Sequence, residues 1–247
     1  MAVLKFKKLR NVRDISYGNI KEGRIIRGSS LFHLCSKDAK ELKKKYNVKI
    51  IIDLRTNQEI KDKPDRVIEG VKYYHIPLIT MEEMGSSSEK QAKKDIIKSH
   101  KLPDVLNYYA HLVTNDKVPA WTKIFEIINN NEDGAIYIHC TVGKDRCGTV
   151  IAILLLALGL DRESIYQDYL LTNEDAIIPF AYKLFAMSFK DKKFRHDFLE
   201  FFKAKKEYLD VIFNYIDKNF PSSEAFLEKM FGLDNQKLNK LKEKYLN

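Results

Sequence analysis

The residues best suited to chemistry lie together in His139-Cys140-Thr141-Val142-Gly143-Lys144-Asp145-Arg146-Cys147-Gly148. An apolar run, 135–138, precedes this segment, and a longer one opens near Gly148. A strand, a tight loop and a helix N-terminus make a cradle for phosphate. The loop N–H groups turn inward and the helix dipole favours negative charge. The same field favours the thiolate of a cysteine placed there. Arg146 can return to the mouth of the loop and grip two phosphate oxygens in its planar fork. A thiolate nucleophile in a charge-stabilising cradle is equipment for phosphoryl transfer. A buried structural cysteine beside a surface arginine accounts less well for the fixed spacing and its strand–loop–helix setting. A zinc site from His139, Cys140 and Cys147 fits less still, because the spacing is wrong for the common pairs and no second Cys/His cluster exists. No metal and no cofactor are expected.

The loop needs a scaffold. Strand-like runs lie at 24–27, 48–54, 71–76 and 135–138. They are short, β-branched and aromatic, the pattern of strands buried on both faces. Ser36 can cap a helix through Tyr46, Thr56-Asn57-Gln58-Glu59 reads as a capping box, and 119–130 is amphipathic. This alternation predicts an α/β fold, with a central, mostly parallel sheet of about four strands flanked by helices. Residues 79–117 break the alternation with Met81-Glu82-Glu83-Met84, Gly85-Ser86-Ser87-Ser88 and two Lys-rich stretches split by Pro103. They are expected to form a helical insertion, either a surface excursion or a lid. From 161 onward the chain reads as helical. Pro221-Ser222-Ser223 opens one helix, Gly232 ends it and Asp234 begins the last. This is expected to be a C-terminal helical lobe within one domain, 1–247.

Of 247 residues, 45% are hydrophobic and 31% charged, with 10 Gly and 6 Pro, which excludes a disordered or fibrous chain. Three cysteines argue against a secreted disulfide scaffold. No apolar signal segment follows Met1, and the longest apolar stretch, Gly148 to Leu160, is too short to span a bilayer. A soluble protein of a reducing, cytoplasmic compartment is expected, with export by another route left open. The net charge of +9 suits anionic partners. A phosphorylated substrate fits the loop, and no nucleic-acid partner is expected. Lys90, Lys93, Lys94, Lys98 and Lys101 form either a solvated helix face or a peripheral contact with anionic membrane. His33, His75, His100, His111 and His196 show no paired spacing, and Phe194 to Phe202 has the spacing of a helix packed into the lobe.

The 139–148 segment resembles the signature loop of cysteine-dependent protein tyrosine phosphatases. Gly143-Lys144-Asp145-Arg146 resembles the bacterial branch that also acts on phosphoinositides. Asn11-Val12-Arg13-Asp14 with Tyr17-Gly18, Arg27-Gly28-Ser29, and Asp53-Leu54-Arg55-Thr56-Asn57-Gln58-Glu59 are similar to runs of that family. So are Asp168-Tyr169-Leu170-Leu171-Thr172-Asn173 and the ending from Tyr208 through Gly232-Leu233. The resemblance spans nearly the whole chain. It implies hydrolysis of phosphotyrosine and/or phosphoinositides through a phosphocysteine.

Carried over residue by residue, the resemblance makes Cys140 the nucleophile, while Arg146 binds phosphate and the transition state. Asp145 protonates the leaving oxygen and then activates water. Thr141, Val142 and Gly143 line the phosphate, and Lys144 adds a second cation. His139 points away from the cradle and orients Cys140. Asp53 and Arg55 end a central strand, where α/β sheets place ligand residues. Alternatively, Arg55 pairs with Asp145 or Glu59 as scaffold. Arg13 and Asp14 brace the loop.

Two positions depart from the family pattern. Ser16 replaces a usual Gly. Cys147 replaces the Thr or Ser whose hydroxyl donates to the catalytic sulfur as it leaves. A thiol is a weak donor, so slow phosphocysteine hydrolysis is expected. Cys147 could also trap a sulfenic acid on Cys140 as a disulfide, although a neutral packing residue is the plainer account. Other readings of the cradle stay open: a sulfurtransferase, a thiol-dependent arsenate reductase, or a catalytically weak phosphate-binding module. The oligomeric state and the choice between protein and lipid substrate are not set by the sequence.

Overall fold

Among the described residues, six strands form one sheet in the order β1-β2-β3-β6-β4-β5. They are β1 (Ala2–Val3), β2 (Arg13–Asp14), β3 (Ile25–Gly28), β4 (Val48–Asp53), β5 (Lys72–His75) and β6 (Ala135–His139). The computed structural model describes residues 2–84, 86, 89–174, 183 and 185–247, with only the backbone of Ala2, Glu89 and Lys90. Met1, Gly85, Ser87, Ser88, the Lys90 side chain, and 175–182 and 184 of the stretch read as helical lie outside the described residues.

The fold is α/β, and the four expected strands are β3, β4, β5 and β6, joined in parallel. β1 and β2 add an antiparallel edge. At two residues each they are too short to show a period. Side chains alternate across the sheet. Ile25, Ile50, Ile52, Ile136 and Ile138 enter the main helical core. Ile26, Ile51, Ala135 and Tyr137 face a smaller core with Leu31, Leu34 and Leu42. Burial on both faces holds for β3 and β6 and nearly throughout β4, whereas β5, at the edge, is exposed at Lys72 and Tyr73.

The helices are α1 (Ser36–Lys40), α2 (Asn57–Asp62), α3 (Glu89–Ser99), α4 (Val105–His111), α5 (Val118–Asn130) and α6 (Asp145–Ala157). They continue with α7 (Arg162–Leu170), α8 (Lys192–Phe201), α9 (Lys206–Asn219), α10 (Ser223–Phe231) and α11 (Asn235–Tyr245). The expected Ser36 cap is corrected: Cys35 holds that position with no side-chain bond. The last turn also widens, Tyr46 N donating to Glu41 O at 3.0 Å. Thr56 and Glu59 form the full capping box of α2. Ser222 and Asp234 cap α10 and α11, and Gly232 ends α10 at φ +66°.

The insertion has two halves. Tyr109, Leu112 and Val113, in and just after α4, are buried in the main core with Tyr208 and Leu209 of α9, so this half is not a surface excursion. Leu102 and Ile96 of α3 pack instead on a satellite cluster with Phe189, Phe194 and Phe198. The Phe-rich stretch therefore builds its own small core rather than joining the main core of the lobe. Lys94, Lys98 and Lys101 are exposed. Among the described residues, no helix is long and apolar enough to cross a membrane.

Candidate active site

β6 delivers Cys140 to its C-terminal end, and α6 begins at Asp145. Gly143 turns the loop between them at φ +73°. A Cβ there would also lie 2.5 Å from Gly28 O, so only glycine fits both the turn and the close approach. The loop is held from beneath. Asn11 Nδ2 donates to Val142 O at 3.1 Å and Gly143 O at 3.0 Å, and Arg27 Nη2 donates to Gly143 O at 2.8 Å. Carbonyls fixed on that side leave the planar peptides' N–H groups facing the other. Asn11 adopts a left-handed φ of +54°, a conformation that asparagine tolerates better than most residues.

A buried ion network carries this underside. Asp168 meets Arg27 Nη1 at 2.6 Å and Arg13 Nε at 3.1 Å, and Arg13 Nη1 donates to Asn11 Oδ1 at 2.7 Å. Burial would raise the Asp168 carboxyl, but Arg13 and Arg27 outweigh burial and hold it below its ordinary range. Arg13 thus braces the loop through Asn11. The expectation for Asp14 is corrected: its Oδ2 accepts from Gly23 N at 2.7 Å and does not brace the loop.

At the mouth, Arg146 Nη1 donates to Glu59 Oε2 at 2.5 Å and Nη2 donates to Oε1 at 2.9 Å. Thr141 Oγ1 also donates to Glu59 Oε1, and Thr56 N donates to Oε2 at 2.8 Å. Burial would raise the Glu59 carboxyl, but Arg146 prevails and holds it at about 2. Arg146 Nε is buried with no hydrogen-bond partner among the described residues.

Asp145 Oδ1 accepts from Tyr109 Oη at 2.7 Å and lies 2.9 Å from Lys144 Nζ. Lys144 is buried, its ammonium 5.4 Å from the centre of the Tyr208 ring. It is therefore committed to Asp145 rather than standing as a free second cation. Half-buried Tyr108 lies within electrostatic reach of Cys140, Asp145, Arg146 and Glu59.

Behind the loop, Arg55 Nη2 meets Asp53 Oδ2 at 2.6 Å and Asp65 Oδ1 at 2.8 Å. Arg55 is scaffold, as one expectation had it, but its partners are not Asp145 or Glu59. Asp53 and Arg55 are buried in this cluster. His139 turns into the same cluster, Nε2 lying 3.0 Å from Asp65 Oδ2, while Nδ1 lies 3.2 Å from Cys140 O. Burial would lower the His139 pKa, but Asp53 and Asp65 outweigh it and raise it. Asp53, Asp65 and His139 offer metal-ligand atoms within 4.8 Å of one another. Arg55 pairs with both carboxylates and His139, whose pKa they raise, supplies a second positive charge, so the donor set is balanced without a metal cation. Cys147 Sγ donates to Ile138 O at 3.2 Å, and burial pushes this thiol up to about 11.

A tyrosine phosphatase family model matches residues 4–247. The chain belongs to the tyrosine phosphatase family. It is 30% identical over 122 residues to a tyrosine-protein phosphatase of Nostoc commune, a match covering 49% of this chain and 39% of that protein. It is 26% identical over 199 residues to the triple specificity protein phosphatase PtpB of Mycobacterium tuberculosis, covering 70% of each. The core catalytic domain of the PP-IP phosphatase SIW14 from S. cerevisiae aligns over 84% of this chain and 96% of its own, at 20% identity and a TM-score of 0.34.

The family is one of cysteine-dependent phosphatases, and in this member the fold brings Cys140, Asp145 and Arg146 to one loop. Glu59, Asp65, Tyr108 and Tyr109 were missed as site residues from the sequence. Glu59 was visible as a helix cap and as an alternative partner of Arg55, not of Arg146, whereas the tyrosines of the insertion carried no signal.

Proposed function

We propose that the chain hydrolyses phosphate monoesters, namely phosphotyrosine and/or phosphoinositides, through a phosphocysteine on Cys140, in a reducing cytoplasmic setting that keeps the thiol available. The observation that supports this best is the state of Arg146. Its two terminal nitrogens are held by Glu59, while its buried Nε–H has no partner among the described residues. A buried donor without an acceptor is costly unless it serves a ligand, and a phosphate oxygen over the loop supplies one.

In the first step Cys140 sulfur bonds to phosphorus as the P–O ester bond breaks. The proton on Asp145 passes to the leaving oxygen. In the second step water attacks phosphorus and gives its proton to Asp145. The S–P bond breaks, sulfur departs as thiolate and inorganic phosphate is released. The loop N–H groups and Arg146 stabilise the charge that builds on the equatorial oxygens. A reductase is disfavoured by Cys147, which is buried and a poor thiolate source with its pKa pushed up to about 11.

Turnover of p-nitrophenyl phosphate with EDTA and reductant, for the wild type and Cys140→Ser, tests the reading. Activity that survives chelation and vanishes in the variant supports it. Tight phosphate binding by a wild type without turnover would replace it with the binding-module reading.

A further inference from the structure

We propose that Tyr109 is a positioning residue that fixes the rotamer of the acid Asp145 so that Oδ2 alone carries the transferred proton; this rests on the phosphatase reading above. Among the described residues, both polar contacts of the carboxylate fall on one oxygen. Tyr109 Oη donates to Oδ1 at 2.7 Å, and Lys144 Nζ lies 2.9 Å from the same atom. The Asp145 side chain is 24% exposed, and Oδ2 is its atom not held by either contact. Asp145 is the first residue of α6, where the backbone alone leaves the carboxylate free to rotate.

Tyr109 itself is fixed. It is fully buried, and its Oη meets Tyr169 Oη at 2.5 Å. A phenol has one proton. Since Lys144 and Tyr109 both point donors at Oδ1, the proton of Tyr109 goes to Asp145, and Tyr169 donates to Tyr109. The chain therefore has one direction, Tyr169 to Tyr109 to Asp145. Burial, reinforced by Asp145, raises both phenols well above their ordinary range, so the donors persist at working pH. Tyr169 is in turn wedged against α6, where a Cβ on Gly148 would lie 2.9 Å from its ring.

The device works in both halves of the cycle. When Asp145 is protonated on Oδ2, Oδ1 is a carbonyl oxygen and still accepts from Tyr109. When the proton has gone to the leaving oxygen, Oδ1 shares the negative charge and accepts more strongly. The carboxyl plane is the same before and after transfer, and only the Oδ2 proton moves. Because Tyr109 sits on α4, the insertion helps set the acid.

The test compares p-nitrophenyl phosphate with phenyl phosphate, whose more basic leaving oxygen needs the acid more. Wild type, Tyr109→Phe, Asp145→Asn, the double variant and Cys140→Ser are assayed. Tyr109→Phe is expected to lower kcat/KM, which reports phosphocysteine formation, about tenfold or more on phenyl phosphate and by less than about threefold on p-nitrophenyl phosphate. In the Asp145→Asn background it should add no leaving-group-dependent loss. An equal loss on both substrates, or a loss that persists in that background, overturns the proposal. Should Tyr109→Phe fail to fold, Tyr169→Phe removes the rear donor, and the same leaving-group dependence must appear, weaker, or the proposal fails. Turnover by Cys140→Ser would instead overturn the phosphatase reading, independently of Tyr109.

Discussion

Glu59 holds Arg146 end-on, Oε2 at 2.5 Å from Nη1 and Oε1 at 2.9 Å from Nη2. The contact fixes the plane of the guanidinium and leaves its buried Nε–H without a partner among the described residues. The same carboxylate caps α2 through Thr56 N, so one side chain ties a helix start, the loop residue Thr141 and the phosphate-binding arginine together.

Glu59→Ala removes the partner of a buried cation. The expected loss in kcat/KM is roughly a hundredfold, in line with about 3 kcal/mol for breaking such a pair. Steady-state kinetics on p-nitrophenyl phosphate checks it, with circular dichroism to verify folding. A loss of less than threefold would show that the loop alone orients Arg146.

The Glu59 contact also predicts acid sensitivity. Its carboxyl is held at about 2 in the fold, below the ordinary 4.5. A lowered folded pKa contributes stability that is present above the unfolded value and lost as pH falls toward the folded one. The wild type should lose stability relative to Glu59→Gln between pH 4.5 and about 2. Thermal melts of both proteins across that window measure the difference, and parallel curves would refute it.

Asp168→Ala leaves Arg13 and Arg27 buried without their shared carboxylate. A destabilisation of about 3–5 kcal/mol is expected by urea denaturation. Arg27 also holds Gly143 O, so the folded fraction should bind vanadate, a phosphate mimic, more weakly than wild type.

Gly143→Ala forces a side chain into a left-handed φ of +73° and against Gly28 O. The backbone cost is about 1 kcal/mol or more. The larger effect should be on the cradle, because the loop must shift to relieve the contact. Vanadate inhibition is expected to weaken about tenfold or more while the melting temperature changes little.

Cys147 donates to Ile138 O, a backbone carbonyl of β6, and burial pushes its pKa up to about 11. Phosphocysteine hydrolysis is therefore expected to limit turnover. Rapid-mixing assays should show a burst of leaving group, and Cys147→Ser should shrink the burst and raise the steady-state rate. Peroxide treatment followed by peptide mapping should give sulfinic Cys140 with little 140–147 crosslink, since a protonated thiol attacks slowly. Extensive crosslinking would restore the redox role that the sequence suggested.

The sequence by itself determined the parts whose signal is local. The interval from Cys140 to Arg146, the apolar run of β6 and the Gly at 143 define a phosphate loop from short-range chemistry. The β-branched runs of β3, β4 and β6 and the Thr56–Glu59 box were legible for the same reason, since period and capping act within a few residues. What the tertiary structure decided is which charge meets which. Arg55 chose Asp65 and Asp53, Glu59 chose Arg146, and Lys144 turned from a free cation into the partner of Asp145. Tyr109 reached the acid from 36 residues away. Glu59 with Arg146 and Tyr109 with Asp145 join elements distant in sequence, and even for the nearer Arg55 and Lys144 it is burial that makes an unpaired charge too costly to leave. The partner is therefore set by which elements the sheet order and helix packing bring together, which no local pattern encodes.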